Sequence, residues 1–189
     1  MRIIAGKMKG ASLYLTKNKS TRPLKDLVRE SIFNLLIHSS KISFKFQKSN
    51  ILDLYAGTGS FGLECISREA KNVVFIENEK NTIKTLEKNI AKLKIKEKTK
   101  ISSDEVFKAL EKKNIYQIKF DLIFCDPPFK LTNIQKLIEL IFNNNLLNKE
   151  GIIILHRKKD SKEKFPDYFK IIEERSYGIS KIIFGRLLS

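Results

Sequence analysis

The fold is decided by the segment Leu52-Asp53-Leu54-Tyr55-Ala56-Gly57-Thr58-Gly59-Ser60-Phe61-Gly62. It follows a short apolar run and opens a helical pattern. Its three glycines have the G-x-G-x-x-G spacing of the turns that bind nucleotides between a strand and a helix. Glycine lacks the Cβ that would keep a ligand away from the backbone. The spacing alone is also compatible with a turn that only connects the two elements.

Apolar runs and helical patterns alternate on the C-terminal side of this turn. The predicted strands are 50–54, 72–77, 99–103, 120–125 and 151–155. Strands that are apolar throughout and separated by amphipathic helices are typical of a parallel sheet covered on both faces. The last two runs, 168–175 and 180–187, have no helix between them and flank Tyr177-Gly178, which predicts an antiparallel hairpin. We therefore predict an α/β Rossmann-like sheet, mostly parallel and closed by a hairpin.

Residues 1–49 precede the first parallel strand and are predicted to form an extension to a catalytic domain at 50–189. Two short runs, Arg2–Ala5 and Ser12–Thr16, flank Lys9-Gly10 and predict a β-hairpin. A helix is expected after Pro23, with Leu27, Val28 and Ile32 on its apolar side.

The charge balance favours a polyanionic partner. The 189 residues include 37 Lys and Arg against 21 Asp and Glu, a formal net charge of +16. Each phosphate that a cation neutralises releases condensed counterions. Residues 1–25 contain no acid, which indicates an arm that meets nucleic acid, although a general lysine bias would also produce such a surplus. Hydrophobic residues make up 42% of the chain, but no apolar stretch has the length of a membrane span, so we expect a soluble cytoplasmic protein.

Asp53 distinguishes between two classes of cofactor. A carboxylate beside the turn would repel the pyrophosphate of a dinucleotide, whereas the ammonium and sulfonium groups of S-adenosylmethionine (SAM) are attracted to it. We therefore predict that SAM binds at Asp53, Tyr55, Ala56, Gly57 and Gly59. The alternative is an aspartate used only for hydrogen bonding within the turn.

Two further acids follow the next two strands. Glu77 ends the second strand and can hold the ribose hydroxyls, since an acid about 20 residues beyond such a turn has that role in nucleotide sites. Glu79 is a weaker candidate because it lies beyond the strand end. Asp104 follows the third strand and can either accept from the adenine amine or cap the helix predicted at 105–112.

The most specific motif is Asp126-Pro127-Pro128-Phe129, directly after the strand 120–125. Prolines present carbonyl oxygens without backbone donors. The Asp126 carboxylate and the Pro127 carbonyl can accept from the two N–H groups of a base amine and aim its lone pair. Phe129 can stack on the base. A rigid loop with Phe129 in the core is the structural alternative.

The remaining reactive side chains have no arrangement that suggests catalysis. Cys65 and Cys125 lie far apart without metal spacing, and both are expected to be buried. A nucleophilic Cys125 would suit methylation at a pyrimidine carbon. We expect His38 and His156 at the surface, and no metal site is predicted.

Motifs along nearly the whole chain resemble the RsmD family of 16S ribosomal RNA guanine-N2 methyltransferases. They are Arg2–Lys7, Thr21–Pro23, Val28–Asn34, Leu52–Glu64, Ser67–Ala70, Asp126–Phe129, Tyr177-Gly178 and Gly185-Arg186. The N-terminal motifs carry the resemblance, since many amine methyltransferases share the glycine turn and the DPPF segment. The chain departs from the family at Met8, where an aromatic residue is frequent, and in the basic run His156–Lys159.

The resemblance implies a class I SAM-dependent methyltransferase fold and methyl transfer to a guanine N2 of 16S rRNA in an assembling small ribosomal subunit. The residues expected to contact this RNA are Arg2, Lys7, Lys9, Arg22 and Arg29. Three alternatives remain open at this point: an adenine-N6 methyltransferase, a nicotinamide oxidoreductase, and a noncatalytic RNA-binding assembly factor. Asp53 and the DPPF segment argue against the oxidoreductase.

Overall fold

A seven-stranded sheet forms the centre of the protein in a computed structural model that describes residues 1–16, 24, 26–112 and 118–188. The strand order is β3-β2-β1-β4-β5-β7-β6. The strands are β1 (Asn50–Leu54), β2 (Asn72–Ile76), β3 (Thr99–Ser102), β4 (Phe120–Cys125), β5 (Leu147–Lys158), β6 (Phe169–Tyr177) and β7 (Ser180–Leu187). Strands β1 to β5 pair in parallel, and β7 runs antiparallel to both β5 and β6. The predicted parallel sheet with a terminal hairpin is confirmed.

Five α-helices cover the two faces of the sheet. They are α1 (Asp26–His38), α2 (Ser60–Ser67), α3 (Lys80–Leu93), α4 (Val106–Glu111) and α5 (Ile134–Asn143). One apolar cluster contains residues of α1, α2 and α3, and the other contains residues of α4 and α5. Successive side chains of a strand point to opposite faces, so Ile51 joins the first cluster and Leu52 the second. No helix within the described residues is long and apolar enough to cross a membrane.

Most element boundaries lie within one or two residues of the predicted ones, and β5 differs most. Strand β5 begins at Leu147 and ends at Lys158, whereas the apolar run predicted only 151–155. Its outer residues are included because they pair with β4 and β7, which a hydrophobic run does not show. Helix α4 covers 106–111 and is capped by the Glu105 carboxylate, which accepts from the Lys108 backbone N–H. The alternative role of Asp104 as the helix cap is therefore wrong.

The predicted N-terminal hairpin is present but short: it has one antiparallel bridge between Arg2 and Ser12, and backbone hydrogen bonds from Ile3 N–H to the Ala11 carbonyl and from Leu13 N–H to the Met1 carbonyl. Beyond Leu13 the backbone of the second run bonds to a side chain and not to a strand. The Asn89 amide oxygen accepts from the Tyr14 N–H at 2.7 Å, and the Asn89 amide nitrogen donates to the Tyr14 carbonyl at 3.1 Å. Asn89 belongs to α3 and is fully buried.

The N-terminal segment is anchored to α2 by buried polar side chains. The Glu64 carboxylate accepts from the backbone N–H groups of Ile4 at 2.7 Å and Ala5 at 2.9 Å. The Ser67 hydroxyl donates to the Ala5 carbonyl at 2.5 Å, and the Ser67 carbonyl accepts from the Lys7 N–H at 2.8 Å. Residues 1–16 therefore pack on the helix that the glycine turn opens.

Helix α1 buries Val28 and Ile32 as predicted, but it also buries Arg29 and exposes Leu27. Leu27 is 71% exposed, whereas Arg29 is 0% exposed. The Arg29 guanidinium donates to the Arg2 carbonyl at 2.5 Å and to the Ser60 carbonyl at 3.3 Å, and it pairs with Asp26 at 3.1 Å. Burial lowers the pKa of Arg29, partly offset by Asp26 and Glu64. The prediction that Arg29 contacts RNA is wrong, because its charge is used to join α1 to the N-terminal segment and to α2.

Substitution at Gly6 tests how closely the N-terminal segment packs on α2. Gly6 has φ +81°, and a Cβ there would lie 2.0 Å from the Ser67 carbonyl oxygen. Gly10 has φ +87°, but a Cβ there would meet nothing within 4 Å. Both alanine variants incur the cost of a left-handed conformation, about 1–2 kcal/mol, and Gly6→Ala adds an overpacking cost of about 1–3 kcal/mol.

We therefore expect urea denaturation to show a larger loss of unfolding free energy for Gly6→Ala than for Gly10→Ala. Equal losses in the two variants would mean that the segment does not lie against Ser67 in solution.

Candidate functional site

The carboxyl ends of three adjacent parallel strands bring the predicted site residues to one edge of the sheet. Asp53 is in β1, Glu77 directly follows β2, and Asp126 directly follows β4. Strand β1 pairs with both β2 and β4, so the three acids come from neighbouring strands. The carboxyl edge of an open parallel sheet is where such folds bind ligands.

Asp53 is buried and bonded to the turn that follows it. Its Oδ2 accepts from the Gly62 backbone N–H at 2.9 Å, and the residue is 1% exposed. Burial raises the pKa of Asp53 well above its usual value, and the nearby charges of Asp126 and Glu77 raise it further. The hydrogen bond from Gly62 acts in the opposite direction. Three mutually repelling carboxylates make this edge suited to a cationic ligand.

The three glycines of the turn have different surroundings. A Cβ on Gly57 would meet nothing within 4 Å, whereas one on Gly59 would lie 2.4 Å from Leu86 and one on Gly62 would lie 2.4 Å from Phe75. Only Gly57 therefore leaves open space beside the backbone. Gly59 and Gly62 allow the turn and α2 to pack against the protein itself. Tyr55, two residues before Gly57, has a left-handed backbone conformation with φ +60°. Burial raises the pKa of its phenol.

Glu77 and Glu79 have separate roles. One Glu77 oxygen accepts from the Gly57 N–H and the other from the Glu79 N–H, each at 2.9 Å. Glu77 is therefore fastened to the glycine turn, and its remaining lone pairs can accept from a ligand. The Glu79 carboxylate instead caps α3, accepting from Asn81 N–H and Thr82 N–H. This arrangement supports the preference for Glu77 as a ligand-binding residue.

Asp104 lies after β3, at the same edge of the sheet. Its Oδ2 accepts from the Ser102 hydroxyl at 2.9 Å and from the Lys112 ammonium at 2.7 Å. The Lys112 and Ser102 contacts lower the pKa of Asp104. Both contacts are made by Oδ2. A role for Asp104 at an adenine amine stays a prediction.

His156 is a site residue that the sequence did not reveal. The expectation of a surface position is wrong, because His156 is 7% exposed. Its Nδ1 lies 2.7 Å from Asp126 Oδ1 and its Nε2 lies 2.9 Å from the Ser180 hydroxyl. A carboxylate oxygen accepts hydrogen bonds, so we assign Nδ1–H of His156 as the donor to Asp126. The Phe129 ring meets the His156 ring edge to face, with 5.4 Å between centroids.

Arg157 holds the segment that follows Asp126. Its guanidinium donates to the Pro128 carbonyl at 3.3 Å and to the Leu131 carbonyl at 2.5 Å, and it pairs with Glu163 at 2.6 Å. The side chain is 2% exposed. Pro127 is buried, Pro128 is exposed and Phe129 is half-buried. The basic run at 156–159 therefore contributes two buried side chains to the site, while Lys158 and Lys159 are exposed.

The remaining predicted residues lie outside this edge. Arg2, Lys7 and Lys9 are exposed, and Lys7 pairs with Glu69 at 2.6 Å. The Arg22 prediction falls outside the described residues. His38 is exposed, as predicted, and Cys65 and Cys125 are buried free thiols, also as predicted. The part of the chain that the structure describes contains no group of three potential ligands able to hold a metal ion.

The family model described as conserved hypothetical protein 95, the RsmD family, matches residues 1–186. The chain belongs to this family. A relative named ribosomal RNA small subunit methyltransferase D, from Haemophilus influenzae, is 33% identical over 180 residues, which cover 95% of this chain and 90% of the relative. The resemblance drawn from the N-terminal motifs, the glycine turn and the DPPF segment is thereby confirmed.

Solved structures place the RsmD-family chain in a wider fold group. The Escherichia coli protein yhhF superposes with a TM-score of 0.86 at 25% identity, covering 100% of this chain and 98% of yhhF. A Streptococcus mutans protein named as a SAM-dependent methyltransferase gives a TM-score of 0.66 at 14% identity, covering 85% of this chain and 48% of that protein. The fold is the Rossmann-like class I methyltransferase fold.

The raised pKa of Asp53 predicts how stability depends on pH. A folded state with a raised carboxyl pKa binds the proton more tightly than the unfolded state, so stability falls as pH rises from the ordinary value of about 4 through the raised one. Asp53→Asn retains an acceptor for Gly62 N–H and cannot ionise. We expect the variant without cofactor to be more stable than the parent protein, by a margin that widens with pH.

Urea denaturation at several pH values measures this margin. Asp104→Asn is the control of opposite sign, since the pKa of Asp104 is lowered and its ionised form stabilises the fold. A margin for Asp53→Asn that narrows as pH rises would contradict the assignment.

Proposed function

We propose that this protein transfers a methyl group from SAM to the exocyclic N2 of a guanine in 16S rRNA of an assembling small ribosomal subunit. The observation that carries the proposal is the position of Asp126 and Pro127 beside the acidic cofactor edge formed by Asp53 and Glu77. The name of the Haemophilus influenzae relative and the family membership support an rRNA substrate. The guanine and its N2 atom are our proposal.

The residues present fit SAM. Asp53, Glu77 and Asp126 concentrate negative charge that suits the ammonium and sulfonium groups, and the open space beside Gly57 allows a ligand to approach the backbone. In this proposal Asp53 attracts the amino group, Glu77 receives the ribose hydroxyls and Asp104 meets the adenine. Tyr55, Ala56, Gly57 and Gly59 supply the wall of the site. When bound, SAM supplies an electrophilic methyl on a sulfonium and leaves as a neutral thioether.

Asp126 and Pro127 bind the amine that is methylated. The Asp126 carboxylate and the Pro127 carbonyl each accept from one N–H, so the nitrogen lone pair is directed at the methyl group. With SAM bound, the amine would attack the methyl carbon that the sulfonium supplies and would then release one proton to solvent. The two acceptors offset the positive charge that develops on nitrogen. Positioning at about 3–3.5 Å supplies much of the acceleration in such a reaction.

His156 and Arg157 keep this segment in place. His156 donates to Asp126 Oδ1 and is itself held by Ser180, so the carboxylate has a defined orientation. Arg157 secures the carbonyls of Pro128 and Leu131, which leaves the preceding Pro127 carbonyl on a segment fixed at both ends. We assign both as positioning residues, which act through Asp126 and the DPPF segment.

An adenine-N6 methyltransferase is the second candidate, because a base amine of adenine would use the same pair of acceptors. The family membership favours rRNA as the substrate, but the chemistry at Asp126 does not distinguish the two amines. The identity of the methylated nucleoside distinguishes them directly.

The test is to incubate the protein with labelled SAM and either naked 16S rRNA or 30S particles from cells that lack the cognate enzyme. Digestion to nucleosides should place the label on N2-methylguanosine. Asp126→Ala should lower turnover by about 100-fold or more while calorimetric titration shows nearly unchanged SAM affinity, since its carboxylate serves the amine. Asp160→Ala, at an exposed loop position, is the control and should behave as the parent protein.

Label on N6-methyladenosine would refute the guanine assignment and retain the mechanism. Loss of turnover and of SAM affinity in equal measure for Asp126→Ala would contradict the role given to its carboxylate.

Substitution of His156 tests the orientation of Asp126. We expect His156→Leu to lower kcat by about 10- to 100-fold and to leave KM for SAM and RNA nearly unchanged, because only the aim of the carboxylate is lost. His156→Gln retains an N–H donor and should recover a substantial part of kcat. Steady-state kinetics on the methylated substrate measures both. Equal kcat values for the Leu and Gln variants would show that the hydrogen bond to Asp126 has no role in turnover.

A further inference from the structure

Helix α3 carries a row of lysines that none of the other described helices has. Lys80, Lys84, Lys88 and Lys92 recur every four residues and are all exposed; we call them the α3 lysine row. Each of the other four α-helices contains at most one lysine. Four lysines thus fall on one helix of 14 residues. The concentration is therefore a feature of α3.

The geometry of the row suits a polyanionic strand. Four helical residues advance about 6 Å, which is comparable to the separation of neighbouring phosphates, and the row spans about 18 Å within about 120° of the helix circumference. No ion pair joins Lys80, Lys84 or Lys88 to another residue in the described part of the chain. Like charges four residues apart destabilise a helix, and a bound polyanion relieves that repulsion.

One end of the row meets an exposed aromatic residue. The Lys92 ammonium donates to the Ser12 carbonyl at 2.8 Å and lies 4.8 Å from the centre of the Tyr14 ring. Tyr14 is 51% exposed. An exposed ring beside a line of cations is the combination with which proteins hold single-stranded nucleic acid, by stacking a base while the backbone follows the charges.

A buried side chain connects this surface to the cofactor turn. Asn89 holds the backbone of Tyr14, and its amide nitrogen also donates to the Thr58 carbonyl at 3.0 Å. Thr58 lies between Gly57 and Gly59. Asn89, a residue of α3 itself, therefore fixes the position of Tyr14 relative to the glycine turn. The exposed lysines and Tyr14 thus have a defined position relative to the site.

We propose that Tyr14 and the α3 lysine row form an RNA-binding track, with phosphates along the row and an unpaired base on the Tyr14 ring. The track does not include Lys7 or Lys9, two of the basic residues of the N-terminal segment that the sequence predicted to contact RNA. This inference rests on the proposed function only in that the polyanion is the RNA substrate.

The test compares two triple variants of equal charge. The track variant is Lys80→Gln, Lys84→Gln and Lys88→Gln. The control is Lys45→Gln, Lys149→Gln and Lys170→Gln, three exposed lysines located away from the carboxyl edge of the sheet. Glutamine is close to lysine in helix propensity, so α3 is retained. Binding to protein-free 16S rRNA is measured without SAM, over a range of salt concentrations.

We expect the track variant to bind RNA about 10- to 100-fold more weakly near 0.1 M salt, with a log–log salt slope smaller by about 2. The control variant should lose only a few-fold in RNA affinity relative to the parent protein, and should therefore bind RNA more tightly than the track variant. Tyr14→Leu should weaken binding about five-fold or more, whereas Tyr14→Phe, which keeps the ring, should not. Equal affinities for the two triple variants, or for the Leu and Phe variants, would overturn the proposal.

Methyl transfer, measured separately, keeps this inference distinct from the proposed reaction. If the track variant loses RNA binding, the control variant does not, and the parent protein methylates nothing, the RNA-binding track is supported and the proposed reaction is refuted. If the parent protein methylates guanine, and the track variant matches the control variant in RNA binding and in methyl transfer, the track is refuted and the proposed reaction is supported.

Discussion

Parallel pairing of β1 between β2 and β4 is the constraint on which the rest of the structure depends. It brings the carboxyl ends of three strands together, and with them Asp53, Glu77 and Asp126. Burial raises the pKa of Asp53 and repulsion from Asp126 and Glu77 raises it further, which is a cost that a fold selected only for stability would avoid. Hydrogen bonds from Gly62 to Asp53 and from Gly57 to Glu77 hold the acids in place. The same contacts that shape the turn therefore maintain the charge that suits a cationic cofactor.

Buried polar side chains connect the N-terminal segment to this edge. Arg29 joins the Arg2 carbonyl to the start of α2, Glu64 binds two backbone N–H groups, and Asn89 links Tyr14 with Thr58. Each group is fully buried, so an unmade hydrogen bond there would cost more than the bond itself contributes. The segment that the sequence describes as an extension therefore packs into the same core as α2 and α3, and its position depends on theirs.

A comparison of His156 and Arg29 with Glu77 shows where prediction from sequence reached its limit. Glu77 was located because it ends an apolar strand, and strand ends of a parallel sheet meet at one edge. His156 also lies within a strand, but its partners Asp126 and Ser180 are 30 and 24 residues away. The spacing of apolar residues in α1 does not decide whether Arg29 lies on the buried or on the exposed side of the helix. A charged residue is taken to be exposed unless its partners are known, and those partners come from distant parts of the chain.

The sequence by itself determined the alternation of apolar strands and amphipathic helices, the glycine turn, the terminal hairpin and the DPPF segment, because each depends on residues close together in the chain. The limits of β5, the single bridge at Arg2 and Ser12, and the capping of α4 by Glu105 were decided by neighbouring strands and side chains. Only the tertiary structure decided that His156 bonds to Asp126, that Arg157 bonds to the Pro128 carbonyl, and that Asn89 ties Tyr14 to the glycine turn. These contacts join residues about 30 to 75 positions apart. At such separations the local sequence pattern does not indicate which side chains will be in contact.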